Sequence, residues 1–232
     1  VSPEQRAKAL QALKSWIIRR TLLRETGKDY NRVFLGLLKA LEDAPKSSAG
    51  DVTTDFLASQ TAASRTWPTD EAVVESLSTQ PLYGRIAQKR IRIVLEGIED
   101  SKRGHKTEEP HCPRGLTIEH VMPQSWQNHW GSGIAPDDQI AQMERDKTVQ
   151  LLGNLTLVNE KLNPSLSNNP WVTETDSNGI ELTGKKDQLQ EHSLMRMTRD
   201  LMDAHPESWT EDDIRERSAT MAQRIVQIWP RL

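Results

Sequence analysis

The chain has 232 residues, a formal net charge of −3 and a single cysteine, Cys112. This length permits one large domain or two small ones, and the net charge argues against a generally basic nucleic-acid binder. One cysteine excludes an intrachain disulfide and a multi-cysteine zinc site, so we expect a reducing, intracellular location. We expect no membrane span and no cleaved leader, because no apolar run approaches ~18 residues. Because the chain begins at Val1, we expect a fragment that lacks an N-terminal part.

The charge is unevenly distributed along the chain. Residues 1–106 hold 18 Lys and Arg against 13 Asp and Glu, whereas residues 107–232 hold 12 against 20. A basic N-terminal half could lie along DNA phosphates. A solvated helical face gives the same counts and is the favoured interpretation of any single charge.

The first half of the chain is predicted to be helical. Ser2 can cap a helix whose apolar residues recur at helical spacing towards Gly27, and a second helix covers about 31–41. Shorter helices are expected around 52–60 and 70–78. A longer helix follows, with an apolar stripe of Ile86, Ile91, Val94, Leu95 and Ile98. We interpret the basic face of this helix as solvated in preference to phosphate-binding. Residues 100–115 are then predicted to end the helix.

The end of the chain is predicted to be helical as well. Residues 173–186 indicate a polar loop with a turn at 178–179. A helix is expected across the apolar residues from Leu189 to Met202, and Thr210 can cap the last helix. The predicted class is therefore α+β, predominantly α-helical, with helices that enclose one small β-containing region.

Two short segments carry the side chains of a candidate hydrolytic site. Residues 116–125 read Leu-Thr-Ile-Glu-His-Val-Met-Pro-Gln-Ser. Residues 152–163 read Leu-Gly-Asn-Leu-Thr-Leu-Val-Asn-Glu-Lys-Leu-Asn. Together they supply an acid, an imidazole and two side-chain amides around two runs typical of short strands. These are the components of a nuclease that uses one metal ion.

Hydrolysis of a phosphodiester needs a base for the attacking water and a cation for the developing charge. His120 suits the first task, because an imidazole is mostly neutral at pH 7. Glu119 and the amide oxygen of Asn163 suit Mg²⁺ or Mn²⁺, which prefer oxygen ligands. Adjacent side chains of a strand point to opposite sides, so the strand must end or bend at His120. Asn154 is expected to orient the site, and Asn163 is expected to cap a short helix.

The order Glu119, His120, Asn154, Asn163 resembles the ββα-metal fold of HNH endonucleases. The resemblance implies that Glu119 and Asn163 bind the metal ion, that His120 is the general base and that Asn154 is the middle Asn of the motif. The chain departs from that family in two ways. The segment between Ser125 and Leu151 is longer than in a minimal HNH hairpin, and the paired cysteines of zinc-stapled members are absent, so no structural zinc is expected.

A broader resemblance covers nearly the whole chain. Trp16-Ile-Ile-Arg-Arg20, the two motif segments, Lys185-Lys186 and the closing Trp209…Ile214…Arg217…Trp229 resemble the C-terminal half of GmrSD-type restriction enzymes, and most of all those that sense phosphorothioate DNA. This implies a bacterial cytoplasmic antiphage nuclease that acts on phage or other foreign DNA. It also implies an N-terminal nucleotide-hydrolysing sensor domain as partner.

The expected organisation has three parts. Residues 1–106 form a basic helical region that supports the site, residues 107–175 form the HNH region, and residues 176–232 form the C-terminal helices of the same domain. Four side chains are candidates for weak contacts with DNA, namely Lys161, Asn168, Lys185 and Lys186. Each of them also fits an ordinary surface position.

Several features have a simpler structural interpretation. His111 next to Cys112 is weak support for a metal site, and His129 fits a surface loop. The tryptophans could stack on unpaired bases, but core positions are favoured. Asn154 and Asn163 could serve only a turn and a helix cap.

The sequence thus predicts a metal-dependent HNH DNA endonuclease that nicks DNA and leaves a 5′-phosphate and a 3′-hydroxyl. The alternative is a catalytically inactive DNA-binding or interaction module that docks to the missing N-terminal domain. An RNase that uses the same residues is a third possibility.

Overall fold

The structure, a computed structural model, describes residues 1–104, 108–176 and 178–232. It is mostly helical with a few short strands, which confirms a predominantly α-helical α+β class. The helices are α1 (Pro3–Leu22), α2 (Tyr30–Glu42), α3 (Ala49–Ala58), α4 (Asp70–Thr79), α5 (Gln88–Ser101), α6 (Gln139–Val149), α7 (Leu162–Leu166), α8 (Lys185–His192), α9 (Arg196–Ala204) and α10 (Glu211–Ile228). The strands are β1 (Thr117–His120), β2 (Leu155–Val158), β3 (Glu174–Thr175) and β4 (Glu181–Leu182). In this described part of the chain, no helix is both long and apolar enough to cross a membrane.

The chain separates into two compact units. The first unit comprises residues 1–76 and 222–232, and the second unit comprises residues 77–221. Both limits of the second unit therefore fall inside helices, α4 and α10. The boundary predicted near residues 106 and 107 falls outside the described residues, and the three-part organisation stays a prediction.

The first unit begins with a helix whose start was predicted correctly. The hydroxyl of Ser2 accepts a hydrogen bond from the amide of Gln5 at 3.2 Å, and Pro3 occupies the first turn. The end was predicted too late, because α1 stops at Leu22 rather than near Gly27. Arg24 adopts the left-handed conformation, with a φ of 59°, and this turns the chain out of the helix.

Helices α1 and α3 approach closely in the first unit. A Cβ atom at Gly50 would lie 2.6 Å from the carbonyl oxygen of Gln5, so only glycine fits there. The side chain of Gln5 accepts from the Gly50 amide at 2.6 Å and donates to Asp51 at 2.8 Å. Trp16, Val33, Leu57 and the residues around them fill the core of this unit.

Two arginines of α1 are fully buried, which changes the interpretation of the basic N-terminal half. Arg19 donates to the carbonyl oxygen of Trp229 at 2.7 Å and pairs with Asp70 at 2.6 Å. Arg20 donates to three carbonyl oxygens at 2.8 Å and stacks on Trp16. These positive charges satisfy the backbone of the unit and are not on a surface for phosphates.

Replacement of Arg20 by methionine is expected to destabilise the first unit by about 2–4 kcal/mol, because three carbonyl groups lose their hydrogen bonds to a fully buried guanidinium. Urea or thermal unfolding followed by circular dichroism measures the change. Arg6→Met is the matched control on the exposed side of the same helix and should stay within about 0.5 kcal/mol of wild type. Equal stability of the two variants would contradict the structural role of Arg20.

In the second unit, β1 and β2 form an antiparallel pair. The register places Glu119 opposite Thr156 and His120 opposite Leu155. Every residue of β2 is buried, because α5 and α9 both pack against it. The one polar side chain of this strand, Thr156, is satisfied by the hydroxyl of Thr198 at 2.8 Å. The strand predicted at 155–158 is confirmed.

The single helix predicted across Leu189 to Met202 is wrong, since the structure has two helices, α8 and α9. Leu194, one of the residues that suggested the helix, lies in the break and is 78% exposed. The carboxylate of Glu99, on α5, accepts from the backbone amides of Arg196 and Met197 at 3.0 and 2.9 Å. A buried carboxylate from another helix thus caps α9, which a local sequence pattern does not reveal.

Tryptophans are core residues throughout the chain. All seven are at most 8% exposed, which supports packing over base stacking. The loop predicted at 173–186 is also partly structured, because β3 and β4 pair around the predicted turn and α8 begins at Lys185. At the turn, Gly179 has a φ of 79° and Asp176 accepts from the amide of Asn178 at 2.8 Å.

Asp100, at the end of α5, organises the segment that leads to β1. Its carboxylate accepts from the amide of Cys112 at 2.7 Å and from the guanidinium of Arg114 at 2.6 Å. Burial alone would raise the pKa of Asp100, but Arg114 and the Cys112 amide outweigh it and lower the pKa to about 2. Burial, together with Asp100, raises the pKa of the Cys112 thiol to about 12, so this cysteine is an inert core residue.

Asp100→Asn is expected to cost about 1–2 kcal/mol of stability at neutral pH, a value discounted for the exposure of Arg114. The unfolded carboxyl titrates near 3.9 and the folded one near 2, so the stabilisation is complete above about pH 5 and is lost as the pH falls. The difference in free energy of unfolding between wild type and Asp100→Asn should shrink to about half by pH 3. Urea unfolding from pH 7 to pH 3 measures it, and a constant difference would exclude this role for the Asp100 charge.

Candidate functional site

The β1–β2 pair carries the candidate residues. Strand β1 ends at His120, and the next amide, that of Val121, donates to the carbonyl oxygen of Asn154 at 2.9 Å. The expected end of the strand at His120 is therefore present. Glu119 and His120 point to opposite sides of β1 and have different surroundings.

Glu119 is buried and paired with a lysine. Its side chain is 10% exposed, and Oε1 accepts from Nζ of Lys185 at 2.5 Å. Lys185 is fully buried, and its Nζ also donates to the carbonyl oxygen of His120 at 2.8 Å. Burial raises the pKa of Glu119 and lowers the pKa of Lys185, while each group opposes the shift of the other.

The imidazole of His120 is also buried. Its Nε2 lies 3.3 Å from Oε1 of Gln150, and the ring of Tyr83 packs edge-on against it with centroids 4.4 Å apart. Burial lowers the pKa of His120 to about 4, so the ring is neutral at pH 7. With Gln150 as acceptor, the ring carries its proton on Nε2 and leaves Nδ1 as the basic nitrogen.

The side-chain amide of Asn154 is fully buried, accepts two hydrogen bonds and donates two. Oδ1 accepts from the Met122 amide at 2.8 Å and from Nε1 of Trp209 at 3.0 Å. Nδ2 donates to the carbonyl oxygens of Met122 and Val149 at 2.8 and 2.9 Å. This geometry is suited to holding the segments on either side of the hairpin.

Helix α10 fixes the turn that carries Asn154. A Cβ atom at Gly153 would lie 2.1 Å from the carbonyl oxygen of Ile214, so the turn can approach α10 only through a glycine. The Gly153 amide donates to the hydroxyl of Ser218 at 2.8 Å. Arg217 donates to the carbonyl oxygens of Gly153 and Leu155, on either side of Asn154. The turn is therefore clamped from the side of α10.

Asn163 lies on α7, but it is not the cap of that helix as predicted. Helix α7 starts at Leu162, and the side chain of Asn159 accepts from the amides of Lys161 and Leu162 at 3.0 and 2.8 Å. The Nδ2 of Asn163 instead donates to the hydroxyl of Thr117 at 3.1 Å and to the carbonyl oxygen of Ile118 at 3.3 Å. Asn163 is thus bound to β1 itself.

Glu119 and Asn163 are the residues that could hold a metal ion. Asn163 contacts Thr117, which by strand alternation lies on the same face of β1 as Glu119. Among the described residues, no three His, Cys, Asp or Glu side chains form a metal-binding group. Mg²⁺ is usually bound by one or two carboxylates together with water and substrate oxygens. The carboxylate oxygen of Glu119 and the amide oxygen of Asn163 are ligands of the chemical type that Mg²⁺ prefers. Lys185 already occupies one oxygen of Glu119.

The family of this chain follows from comparison with protein-family models. The model for the C-terminal domain of GmrSD restriction endonucleases matches residues 67–224. The chain belongs to this family. Comparison with curated proteins and with solved structures gave no significant match. Membership confirms the GmrSD-type resemblance and assigns a restriction-type nuclease domain, for which DNA is the implied substrate.

The candidates for DNA contact occupy different positions in this GmrSD C-terminal domain. Lys161 is exposed beside a cavity of about 600 Å³, and Asn168 is half-buried after α7. Lys186 donates to the carbonyl oxygen of Pro206 at 2.7 Å. Lys185 differs from all of these, since it is buried against Glu119 and does not reach a surface.

The remaining histidine candidates are paired with carboxylates that are not site candidates. His129 pairs with Glu174 at 3.1 Å and His111 with Asp100 at 3.2 Å. The thiol of Cys112 is contacted by the guanidinium of Arg114 at 2.9 Å. This places His111 and Cys112 in the segment that Asp100 organises.

Three residues of the site were not predicted from the sequence. Gln150 and Tyr83 contact His120, and Arg217 holds the turn around Asn154. Arg217 was part of the family resemblance, so the family pattern carried a signal for it. Gln150 and Tyr83 lie at distant positions and reach the imidazole only through the tertiary fold.

Asn154→Ala is expected to destabilise the second unit by about 3–5 kcal/mol, because several buried backbone groups and the Trp209 indole lose their partners. Thermal unfolding measures the change. The matched control is Asn169→Ala, which removes an amide whose two hydrogen bonds are solvent-exposed and should cost less than about 1 kcal/mol. If both variants unfold like wild type, Asn154 does not have this structural role.

Proposed function

We propose that the chain is a divalent-metal-dependent HNH DNA endonuclease domain that nicks DNA with Mg²⁺ or Mn²⁺. The observation that carries the proposal is the position of three side chains around the end of β1. Glu119 and His120 are its last two residues, and Asn163 binds the same strand from α7. This order of strand, strand and helix is that of the HNH resemblance, and the family is one of restriction endonucleases.

His120 is the proposed general base. Its imidazole is neutral at pH 7, so it can accept the proton of a water molecule that attacks phosphorus. Gln150 fixes the ring through Nε2 and leaves Nδ1 for the water. Tyr83 packs against the ring and restricts its rotation. These contacts set the ring before substrate arrives, which lowers the entropic cost of the proton transfer.

Glu119 and Asn163 are the proposed metal ligands. A divalent ion at these oxygens would supply Lewis-acid stabilisation of the phosphoryl charge and of the leaving 3′ oxygen. The Glu119 carboxylate is also hydrogen-bonded to Lys185. Asn154 orients the hairpin and does not react. Hydrolysis at this site would leave a 5′-phosphate and a 3′-hydroxyl.

A groove beside Asn163 is the proposed path for one DNA strand. It has a volume of about 370 Å³ and is lined by residues in or next to α5, β1 and α7, namely Gln88, Arg92, Leu116, Thr117, Ile118, Glu160, Asn163 and Pro164. Arg92 and Gln88 offer donors for phosphate oxygens. One catalytic site cuts one strand at a time, so nicking is the proposed elementary event.

The biological role proposed for the domain is restriction of phage or other foreign DNA in the bacterial cytoplasm. An N-terminal nucleotide-hydrolysing sensor would recognise modification such as phosphorothioate and control the nuclease. The resemblance to GmrSD-type enzymes supports this division of work. In this proposal the nuclease residues are those of the present chain, and the recognition of modification would belong to the N-terminal sensor.

The test is cleavage of supercoiled plasmid by the purified chain. Mg²⁺ or Mn²⁺ should support nicking, and EDTA should abolish it. His120→Ala should lower the rate by on the order of 10²–10⁴ fold, the usual contribution of a general base. His111→Ala is the matched histidine control, and it should cleave like wild type because His111 is exposed and pairs with Asp100 at the end of α5.

Two other outcomes would replace the proposal. If wild type binds plasmid but does not cleave it with either metal, the domain is a DNA-binding or interaction module. If RNA is cut and DNA is not, it is an RNase that uses the same residues. Full activity of His120→Ala would exclude the proposed base.

A further inference from the structure

The ammonium group of Lys185 contacts both consecutive candidate residues. Nζ donates to Oε1 of Glu119 at 2.5 Å and to the carbonyl oxygen of His120 at 2.8 Å. We propose that Lys185 is a positioning residue of the nuclease site, which orients the Glu119 carboxylate and the peptide that carries His120. This inference rests on the proposed function and extends it to a residue that was a candidate for contact with DNA.

The backbone of Lys185 is held in place on both sides. Its amide donates to the carbonyl oxygen of Pro170 at 2.8 Å, and the next amide donates to Trp171 at 3.0 Å. A Cβ atom at Gly184 would lie 2.5 Å from the amide nitrogen of Thr173, so glycine is required before the lysine. The start of α8 is therefore fixed against residues 170–173. From this point the side chain reaches β1.

Complete burial separates Lys185 from a phosphate-binding lysine. Its side chain is 0% exposed, whereas phosphate contacts are made by side chains that reach solvent. Lys186 is the neighbour on the same helix, and its Nζ turns away to the carbonyl oxygen of Pro206. The two lysines share local sequence and helix but differ in their contact with Glu119, so Lys186 is a matched control.

The Lys185 ammonium contacts two adjacent residues of β1 whose side chains point to opposite faces. Side chains of adjacent residues in β1 point to opposite faces, so packing on one face cannot fix both. Lys185 reaches the side chain of Glu119 and the backbone of His120 together. It neutralises a buried carboxylate and anchors the peptide from which the imidazole extends. Loss of the ammonium would release both groups at once.

The first test is a double-mutant cycle in EDTA, which does not depend on nuclease activity. Lys185→Met should lower Tm strongly because it leaves Glu119 buried without its partner, and Lys186→Met should not. The fall in Tm should shrink by at least half when Glu119→Gln is already present, because the amide carries no charge. Strictly additive effects of the two substitutions would mean that the pair does not form in solution and would overturn the proposal.

The second test separates positioning from DNA binding and from a purely structural role. At a temperature where Lys185→Met is folded, kcat for nicking should fall by roughly 10–100 fold. The plasmid KM and its salt dependence should stay unchanged. A raised KM with a shallower salt dependence would assign Lys185 to DNA contact, and an unchanged kcat would leave it only a structural role; either result overturns the proposal.

If wild type does not cleave DNA, an NMR measurement still tests whether Lys185 positions His120. The imidazole signals of His120 are assigned by their loss in His120→Gln in ¹H–¹³C correlation spectra. Lys185→Met should shift these signals, and Lys186→Met should leave them in place. Inactive wild type would then end the proposed nuclease function, while unshifted His120 signals would end the positioning role of Lys185.

Discussion

A single buried amide, that of Asn154, joins segments that the two short strands could not hold by themselves. Strands β1 and β2 offer only four paired positions, which is too little for an independent hairpin. Asn154 bonds to both backbone groups of Met122, to the end of α6 at Val149 and to Trp209. Because these groups are buried, each would lose hydration without gaining a partner if the amide moved. The direction in which the chain leaves β1 after His120 is thereby fixed.

The same principle governs the other buried polar groups. Arg20 and Arg217 direct their guanidinium groups to backbone carbonyl oxygens, and Glu99 directs its carboxylate to the backbone amides of α9. In each case a charged side chain from one element completes the hydrogen bonding of another element's backbone. Such contacts specify where helices end and turns lie more sharply than apolar packing does. They also explain how a chain with short strands and broken helices holds a defined site.

The sequence predicted features that depend on local order, and it missed those that depend on the tertiary fold. Ser2 and Thr210 cap helices because a cap acts over three residues, and the strand at 155–158 follows from a local apolar run. The α8–α9 break was missed because its cap, Glu99, comes from a distant helix. Asn163 precedes Pro164, a pattern typical of a helix cap, but in the tertiary fold Asn163 binds β1 and Asn159 satisfies the first amide of α7. The burial of Lys185 depends on Gly184 and residues 170–173, and a lysine is usually exposed.

The charge balance of the site bears on how the proposed nuclease would take up its metal ion. Glu119 and Lys185 together carry no net charge, and Asn163 is neutral, so these three side chains by themselves attract a divalent cation weakly. Mg²⁺ sites with few carboxylates use substrate phosphates as further ligands. In the proposed mechanism the scissile phosphate would supply the missing negative charge. Ion and DNA would then bind together, and a site that is electrostatically neutral without DNA would become competent when a strand occupies the groove beside Asn163.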